Sequence, residues 1–167
     1  MGREVRKVPR CWEHPRTLEG AFIPLHGRSY AKEAADWDAE CLKWCEGWRP
    51  DYYDTKTCKV YPNTPEGYAA WDGERPVESE YMPDFGDSAD MFVMYENVTE
   101  GTPISPAFET LEGLAHWLAD NEASAFADRT ATYEQWLATC RKGHAVSMVS
   151  SSDGKLVSGV EGLGEKT

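Results

Sequence analysis

No regular secondary-structure period survives between Pro50 and Ser88, and that gap decides what the rest of the chain must do. Pro50, Pro62, Pro65, Pro76 and Pro83 interrupt the segment. Each proline fixes φ and removes an amide donor, so neither a long helix nor a central strand can run through it. Tyr52, Tyr53, Tyr61, Tyr68, Trp71, Tyr81 and Phe85 are interleaved with the prolines. Aromatics bury large areas without regular structure, and this density differs from the aromatic-poor composition of true disorder. The pattern predicts ordered but irregular chain over residues 49–90, and loops of such length often carry function.

The regular core must then come from the flanks. After Ser29, a good N-cap, the apolar positions Tyr30, Ala34, Trp37, Cys41, Trp44 and Trp48 recur at intervals of four and three, which predicts an amphipathic helix over residues 29–48. Gly47 and Pro50 end it. Met91 to Tyr95 reads as a short buried strand. Thr110 caps a helix with the stripe Leu111, Leu114, Ala115 and Leu118. Thr132 with Gln135 makes a capping box before Tyr133, Trp136, Leu137 and Cys140, and Gly143 closes that helix. Residues 145–150 and 155–160 flank Ser151-Ser152-Asp153-Gly154, where Asp-Gly suits a hairpin turn. Residues 1–28, punctuated by Pro9, Pro15 and Pro24, read as an extended basic arm. The expected fold class is α+β: a small antiparallel sheet packed against two or three helices, with that arm and the irregular acidic segment. Residues 29–167 are expected to form a single domain, with its strand-helix-helix-hairpin core at 91–162.

The chain has 167 residues and is 41% hydrophobic, enough for a core of its own. No stretch approaches the ~18 apolar residues of a membrane span, and the basic start is followed by no apolar run, so neither a membrane segment nor a signal peptide is expected. Gly2 does not open a myristoylation motif, because Arg6 stands where Ser or Thr is needed. Five irregularly spaced cysteines read as reduced thiols in a cytosol.

Charge is distributed very unevenly. From Asp72 to Glu122 there are thirteen carboxylates against one cation, Arg75, and this stretch accounts for the entire formal charge of −12. Over the first sixteen residues Arg3, Arg6, Lys7, Arg10 and Arg16 outnumber Glu4 and Glu13. A concentrated negative field repels nucleic acid and lipid headgroups and favours basic partners. The expected partner is a protein with a basic surface, with no direct nucleic-acid contact and no membrane. The residues expected to meet it are Glu74, Glu78, Glu80, Asp84, Asp87 and Asp90, with Tyr81 and Phe85 as aromatic anchors, since aromatics carry interface energy while charges set specificity and on-rate.

Motifs for chemistry are weak. Cys11-x-x-His14, Cys41-x-x-x-Cys45 and Cys140-x-x-x-His144 each place two possible zinc ligands near one another, but none has the knuckle spacing that marks zinc, and Cys41 and Cys45 lie along an apolar stripe. Asp51 followed by Asp54-Thr55-Lys56 imitates the order of a metal-dependent nuclease core, yet two intervening residues leave no room for a strand and return. Glu112, His116 and Asp120 share one helical face, which reads as solvated rather than catalytic. Ser105 lies between Ile104 and Pro106 without a nucleophile elbow, and no glycine-rich phosphate loop occurs. No catalytic residue, metal or cofactor is expected.

The run 94–110 (MYENVTEGTPISPAFET), with Leu114-Ala115-His116-Trp117-Leu118-Ala119-Asp120-Asn121, Ala123-Ser124-Ala125-Phe126 and Thr132-Tyr133-Glu134-Gln135-Trp136-Leu137, resembles a family of uncharacterised bacteriophage and prophage proteins. Met1 to Pro9 and Trp12-Glu13-His14-Pro15 are similar to the start of those proteins, while residues 52–90 depart from them. The resemblance implies a viral accessory product in a host cytoplasm and supplies no catalytic residues. Joined to the charge pattern, it leads to an expected acidic binding protein that engages or inhibits a host protein, including a defence nuclease or other nucleic-acid-binding complex met through a DNA-like negative surface. A small enzyme or zinc-binding protein, and a virion or assembly component, are the alternatives.

Overall fold

The computed structural model describes residues 2–53, 59–97, 101–150 and 156–164. The fold is α+β, with five helices and two small antiparallel sheets among the described residues. The chain divides into two compact units, one of residues 1–27 with 83–167 and the other of residues 28–82. Residues 1–27 therefore belong with the C-terminal part, rather than forming an arm beside a domain that starts at 29. No helix among the described residues is long and apolar enough to cross a membrane.

In the first unit, β1 (Arg3–Val8), β2 (Met91–Glu96) and β3 (His144–Ala145) make an antiparallel sheet in the order β2-β1-β3, with Arg3 opposite Glu96 and Val8 opposite Met91. The first strand of the chain is thus the central strand of the sheet. Its polar composition, Arg-Glu-Val-Arg-Lys-Val, hides it from a hydrophobic-period reading. On the other side of β2, residues 102–108 add a partial strand: Ile104 N–H donates to Met94 O (2.8 Å), and Phe92 and Phe108 exchange bonds of 2.7 and 2.9 Å. Pro103 and Pro106 cannot donate, and the Ser105 hydroxyl accepts the Met94 amide at 2.9 Å. This fixes Ser105 as a structural bridge.

Strand alternation sends the two sheet faces to different covers. Met94, Val5 and Phe92 meet the helices α3 (Leu111–Asp120), α4 (Tyr133–Lys142) and α5 (Gly159–Gly164), where Leu114, Ala115, Leu118, Trp136, Cys140 and Val160 complete the main core. Thr110 accepts the Gly113 amide to start α3, and Thr132 with Gln135 forms the expected capping box on α4. Gly143 ends α4 at φ +88°, a left-handed conformation that a side chain would strain. A second sheet pairs β4 (Met148–Ser150) with β5 (Leu156–Ser158). The turn expected at Ser151 to Gly154 lies outside the described residues. Arg6, Val8, Val93 and Tyr95 fall on the opposite face of the first sheet, over which Leu25 and His14 fold back. Gly101 (φ +51°) lets the chain pass there, since a Cβ would stand 2.2 Å from Leu25 O.

In the second unit, α1 (Tyr30–Cys45) starts at Ser29 as expected and ends three residues before Trp48. A second helix, α2 (Pro65–Asp72), occupies part of the segment expected to be irregular. Its signal was local: Thr64 accepts the Gly67 amide, and Pro65 sits at the first helical position, where its missing donor costs nothing. Cys41, Trp44 and Tyr68 form the buried centre, flanked by Trp37, Cys45, Tyr53, Tyr61 and Trp71. Trp44 is fully buried, and its indole N–H donates to Pro62 O at 2.9 Å, which satisfies the one polar atom of its side chain.

Candidate functional site

The residues expected to meet a partner divide between the two units. Glu74, Glu78, Glu80 and Tyr81 lie in the unit 28–82. Asp84, Phe85, Asp87 and Asp90 lie in the other. All six carboxylates are exposed, whereas Tyr81 and Phe85 are half-buried.

In the unit 28–82 the acidic run begins where Gly73 ends α2. Arg75, the one cation of the acidic stretch, makes a two-pronged contact with Asp38 on α1, both bonds 2.8 Å, and also donates to the Tyr30 hydroxyl at 3.2 Å. The Arg75 hydrogen bonds draw the Asp38 carboxyl below the usual carboxylate range, and those same contacts push Arg75 further up. Arg75 is therefore committed to a carboxylate outside the stretch. Glu78 and Glu80 bracket a single 3-10 turn, and Tyr81 follows it with its ring tilted against Tyr30, centroids 5.7 Å apart. Burial raises the Tyr81 phenol above its ordinary value, Glu33 adding to the effect.

In the other unit Asp84 accepts the Gly86 amide at 3.0 Å, a local Asx turn leading into the 3-10 turn Gly86–Ser88. Phe85 packs edge-to-face on Trp12, centroids 4.8 Å apart. Asp90 accepts the Arg10 amide at 3.1 Å, and the Arg10 guanidinium pairs with Glu109 at 2.6 Å. Among the described residues Glu74, Glu78, Glu80, Asp84 and Asp87 make no ion pair. Other carboxylates of the stretch are compensated: Glu96 by Arg3 at 3.0 Å and Glu112 by Arg141 at 3.2 Å. Asp72, Asp90, Asp120 and Glu122 are likewise exposed and make no ion pair among the described residues, so exposed, uncompensated carboxylates are found in both units.

Cys41 and Cys140 are buried, and burial pushes both thiols up, Cys140 to about 12, so neither is a thiolate near neutral pH. Cys11 is exposed. Among the described residues no group of three or more His, Cys, Asp or Glu side chains could hold a metal ion. Glu112, His116 and Asp120 are exposed, and the His116 ring stacks on Tyr133 at 4.0 Å. Of the nuclease-like order, Asp51 is exposed, while Asp54, Thr55 and Lys56 lie outside the described residues.

One polar cluster escaped the sequence reading. The His14 ring bridges the Tyr95 hydroxyl (3.1 Å, at Nδ1) and the Ile23 carbonyl (2.6 Å, at Nε2). A carbonyl only accepts, which places the hydrogen on Nε2 and leaves Nδ1 to accept from Tyr95 in the neutral ring. The Arg6 guanidinium lies 4.4 Å over the Tyr95 ring and donates to Leu25 O at 2.8 Å, while Arg16 lies 3.7 Å over Phe22. Burial, joined by the positive charges of Arg6 and Arg16 against the opposing pull of Ile23 O, holds His14 below the ordinary imidazole range. Burial likewise raises the Tyr95 phenol. With Tyr95 fully buried, the cluster fastens residues 14–25 to the sheet and leaves a substrate no access to its hydroxyl.

A pH dependence follows. The folded state prefers neutral His14, so this contribution to stability is complete above the unfolded imidazole value of about 6.5. It is lost as pH falls below that value toward the lower folded one. Urea midpoints taken at about pH 7.5 and pH 5 should therefore drop more in the wild type than in His14→Gln; equal drops would remove His14 as the sensor.

Comparison with protein-family models, with curated proteins and with solved structures finds no match to this chain.

Proposed function

We propose that this chain is a phage-encoded acidic binding protein that acts in the host cytoplasm by engaging a host protein with a basic surface. The observation that carries the reading is the set of exposed carboxylates Glu74, Glu78 and Glu80 in the unit 28–82, which make no ion pair among the described residues while Arg75 is held by Asp38; Asp84 and Asp87 of the other unit are likewise exposed and unpaired there. Clustered uncompensated charge raises the association rate with a surface of opposite sign. A basic surface that serves nucleic acid, as in a defence nuclease, is the partner class such a charge pattern suits, because a run of exposed carboxylates has the same sign of charge as the phosphate backbone that surface binds. Nucleic acid itself is disfavoured as a ligand, as is an anionic membrane.

The test is affinity capture from infected host lysate by the wild type and by Glu78→Lys/Glu80→Lys/Asp84→Lys. All three positions are exposed; only Asp84 accepts a backbone bond, from the Gly86 amide, so the variant should lose no more than a local turn contact and melt within a few degrees of the wild type. The wild type should retain a basic, nucleic-acid-binding protein that added salt or duplex DNA displaces, and the variant should lose it by at least tenfold, roughly the 1.4 kcal/mol expected when several steering charges change sign. Capture unchanged by the reversal would remove the acidic surface as the contact.

A further inference from the structure

The unit 28–82 contains a run of stacked planar groups. At one end the Arg49 guanidinium lies 3.4 Å over the Trp44 ring, held there by bonds to Trp44 O (3.0 Å), Trp48 O (2.7 Å) and the Asn63 side chain. Trp44 stacks on Trp71 with centroids 4.9 Å apart and planes at 21°, and Trp71 stacks with Tyr52 at 6.2 Å and 27°. Tyr53 meets Trp71 edge-on at 6.0 Å and Tyr68 lies tilted against it at 5.9 Å, so the platform beneath Tyr52 is fixed from several sides. Tyr52 itself is 77% exposed. Its chain neighbour Asp51 is an exposed carboxylate, while Asp72, next to Trp71, accepts the Tyr68 hydroxyl at 3.1 Å. The unit holds twelve carboxylates against seven lysines and arginines.

An exposed aromatic on a rigid stack invites another planar group, and the surrounding charge selects which one. A nucleobase stacks well but brings phosphate into a negative field. Proline is uncharged and gains nothing from the carboxylates. A lysine ammonium is attracted, but it is strongly hydrated and has no plane to stack. A guanidinium is cationic, planar and weakly hydrated, and it is the group that already closes the other end of the run.

We infer that Tyr52 is the receiving platform for an arginine side chain of a basic protein partner, with Asp51, its neighbour in the chain, supplying negative charge beside it. The inference rests on the acidic-surface reading for the sign of the partner's charge and adds the chemical group recognised.

The test titrates the full chain with an arginine-rich peptide and a lysine-rich peptide of equal length and charge, at about 0.15 M salt, following chemical shifts and heat. The wild type should bind the arginine peptide about two- to fivefold more tightly, the range of one exposed cation–aromatic contact. Tyr52→Ala should erase that ratio, and Tyr52→Trp should preserve or enlarge it, with melting temperatures unchanged because the ring is exposed. Equal affinity for both peptides in the wild type, a ratio that survives Tyr52→Ala, or tighter binding of oligothymidylate than of the arginine peptide would each overturn the inference. Glu78→Lys/Glu80→Lys should weaken both peptides alike. If it weakens neither, the acidic-surface reading falls, whereas the platform is judged separately by the arginine-to-lysine ratio.

Discussion

Arg3→Met should lower the free energy of unfolding by about 3–5 kcal/mol, the usual cost of breaking a buried ion pair from one side. Arg3 is 1% exposed at the centre of the sheet, and its guanidinium donates to Ser124 O (2.8 Å), Ser124 Oγ (3.1 Å), Gly2 O (3.2 Å) and Glu96 (3.0 Å). Burial lowers its pKa while Glu96 opposes that shift, so the charge is retained because its donors are satisfied. Methionine keeps much of the apolar stem but leaves Glu96 as a largely buried, unpaired carboxylate and Ser124 O without its donor. Urea denaturation measures the loss. Arg3→Met/Glu96→Gln should recover part of it, since an unpaired neutral amide costs less than an unpaired charge. A loss below about 1 kcal/mol for the single variant, which is the range of exposed pairs, would show that Arg3 is not the fastening we describe.

Trp44→Ala should cost a similar amount, about 3–5 kcal/mol, and the loss should fall on residues 28–82. Trp44 is fully buried between the Arg49 guanidinium and the Trp71 ring, with Tyr53 edge-on at 5.4 Å and Tyr68 tilted at 5.7 Å. Its removal opens a cavity in a centre whose other buried members, among the described residues, are Cys41 and Tyr68. Trp44→Phe keeps a stacking surface and forfeits the bond to Pro62 O, a deletion worth about 1 kcal/mol. Near-UV circular dichroism and limited proteolysis within residues 28–82 report the outcome. An alanine variant whose aromatic signal and protease resistance match the wild type would place the stability of this unit elsewhere.

The helices were legible because their signals are local. Ser29, Thr110 and the Thr132–Gln135 box each cap the helix that the apolar spacing announced. The strand at Met91–Glu96 stood out as an apolar run. What escaped depends on partners distant in sequence. Arg3 and Arg6 look like solvent residues until Glu96, ninety-three positions away, and Tyr95 are brought beside them. The same holds at the candidate site. The carboxylates could be read from composition, but Arg75 finds Asp38 thirty-seven residues earlier, and His14 finds Tyr95 eighty-one residues later. Tyr81 and Phe85 were expected as anchors for a partner, and each also serves its own fold, against Tyr30 and Trp12 respectively. Tyr52 is one of several tyrosines in its segment, and what sets it apart is the stack beneath it, built with Trp71 nineteen residues later.

Because β1 is the middle strand yet precedes both β2 and β3 by more than eighty residues, both of its neighbours are synthesised long after it. At a translation rate of roughly 5–20 residues per second, it emerges several seconds before β2. During that interval its amide and carbonyl groups have no ladder to join, and its three cations, Arg3, Arg6 and Lys7, keep it from pairing with stray strands. Residues 28–82, a separate compact unit, can condense in the meantime and shorten the loop that must close when β2 arrives. A nascent chain arrested before Met91 should therefore carry a structured unit at residues 28–82 and an unpaired β1.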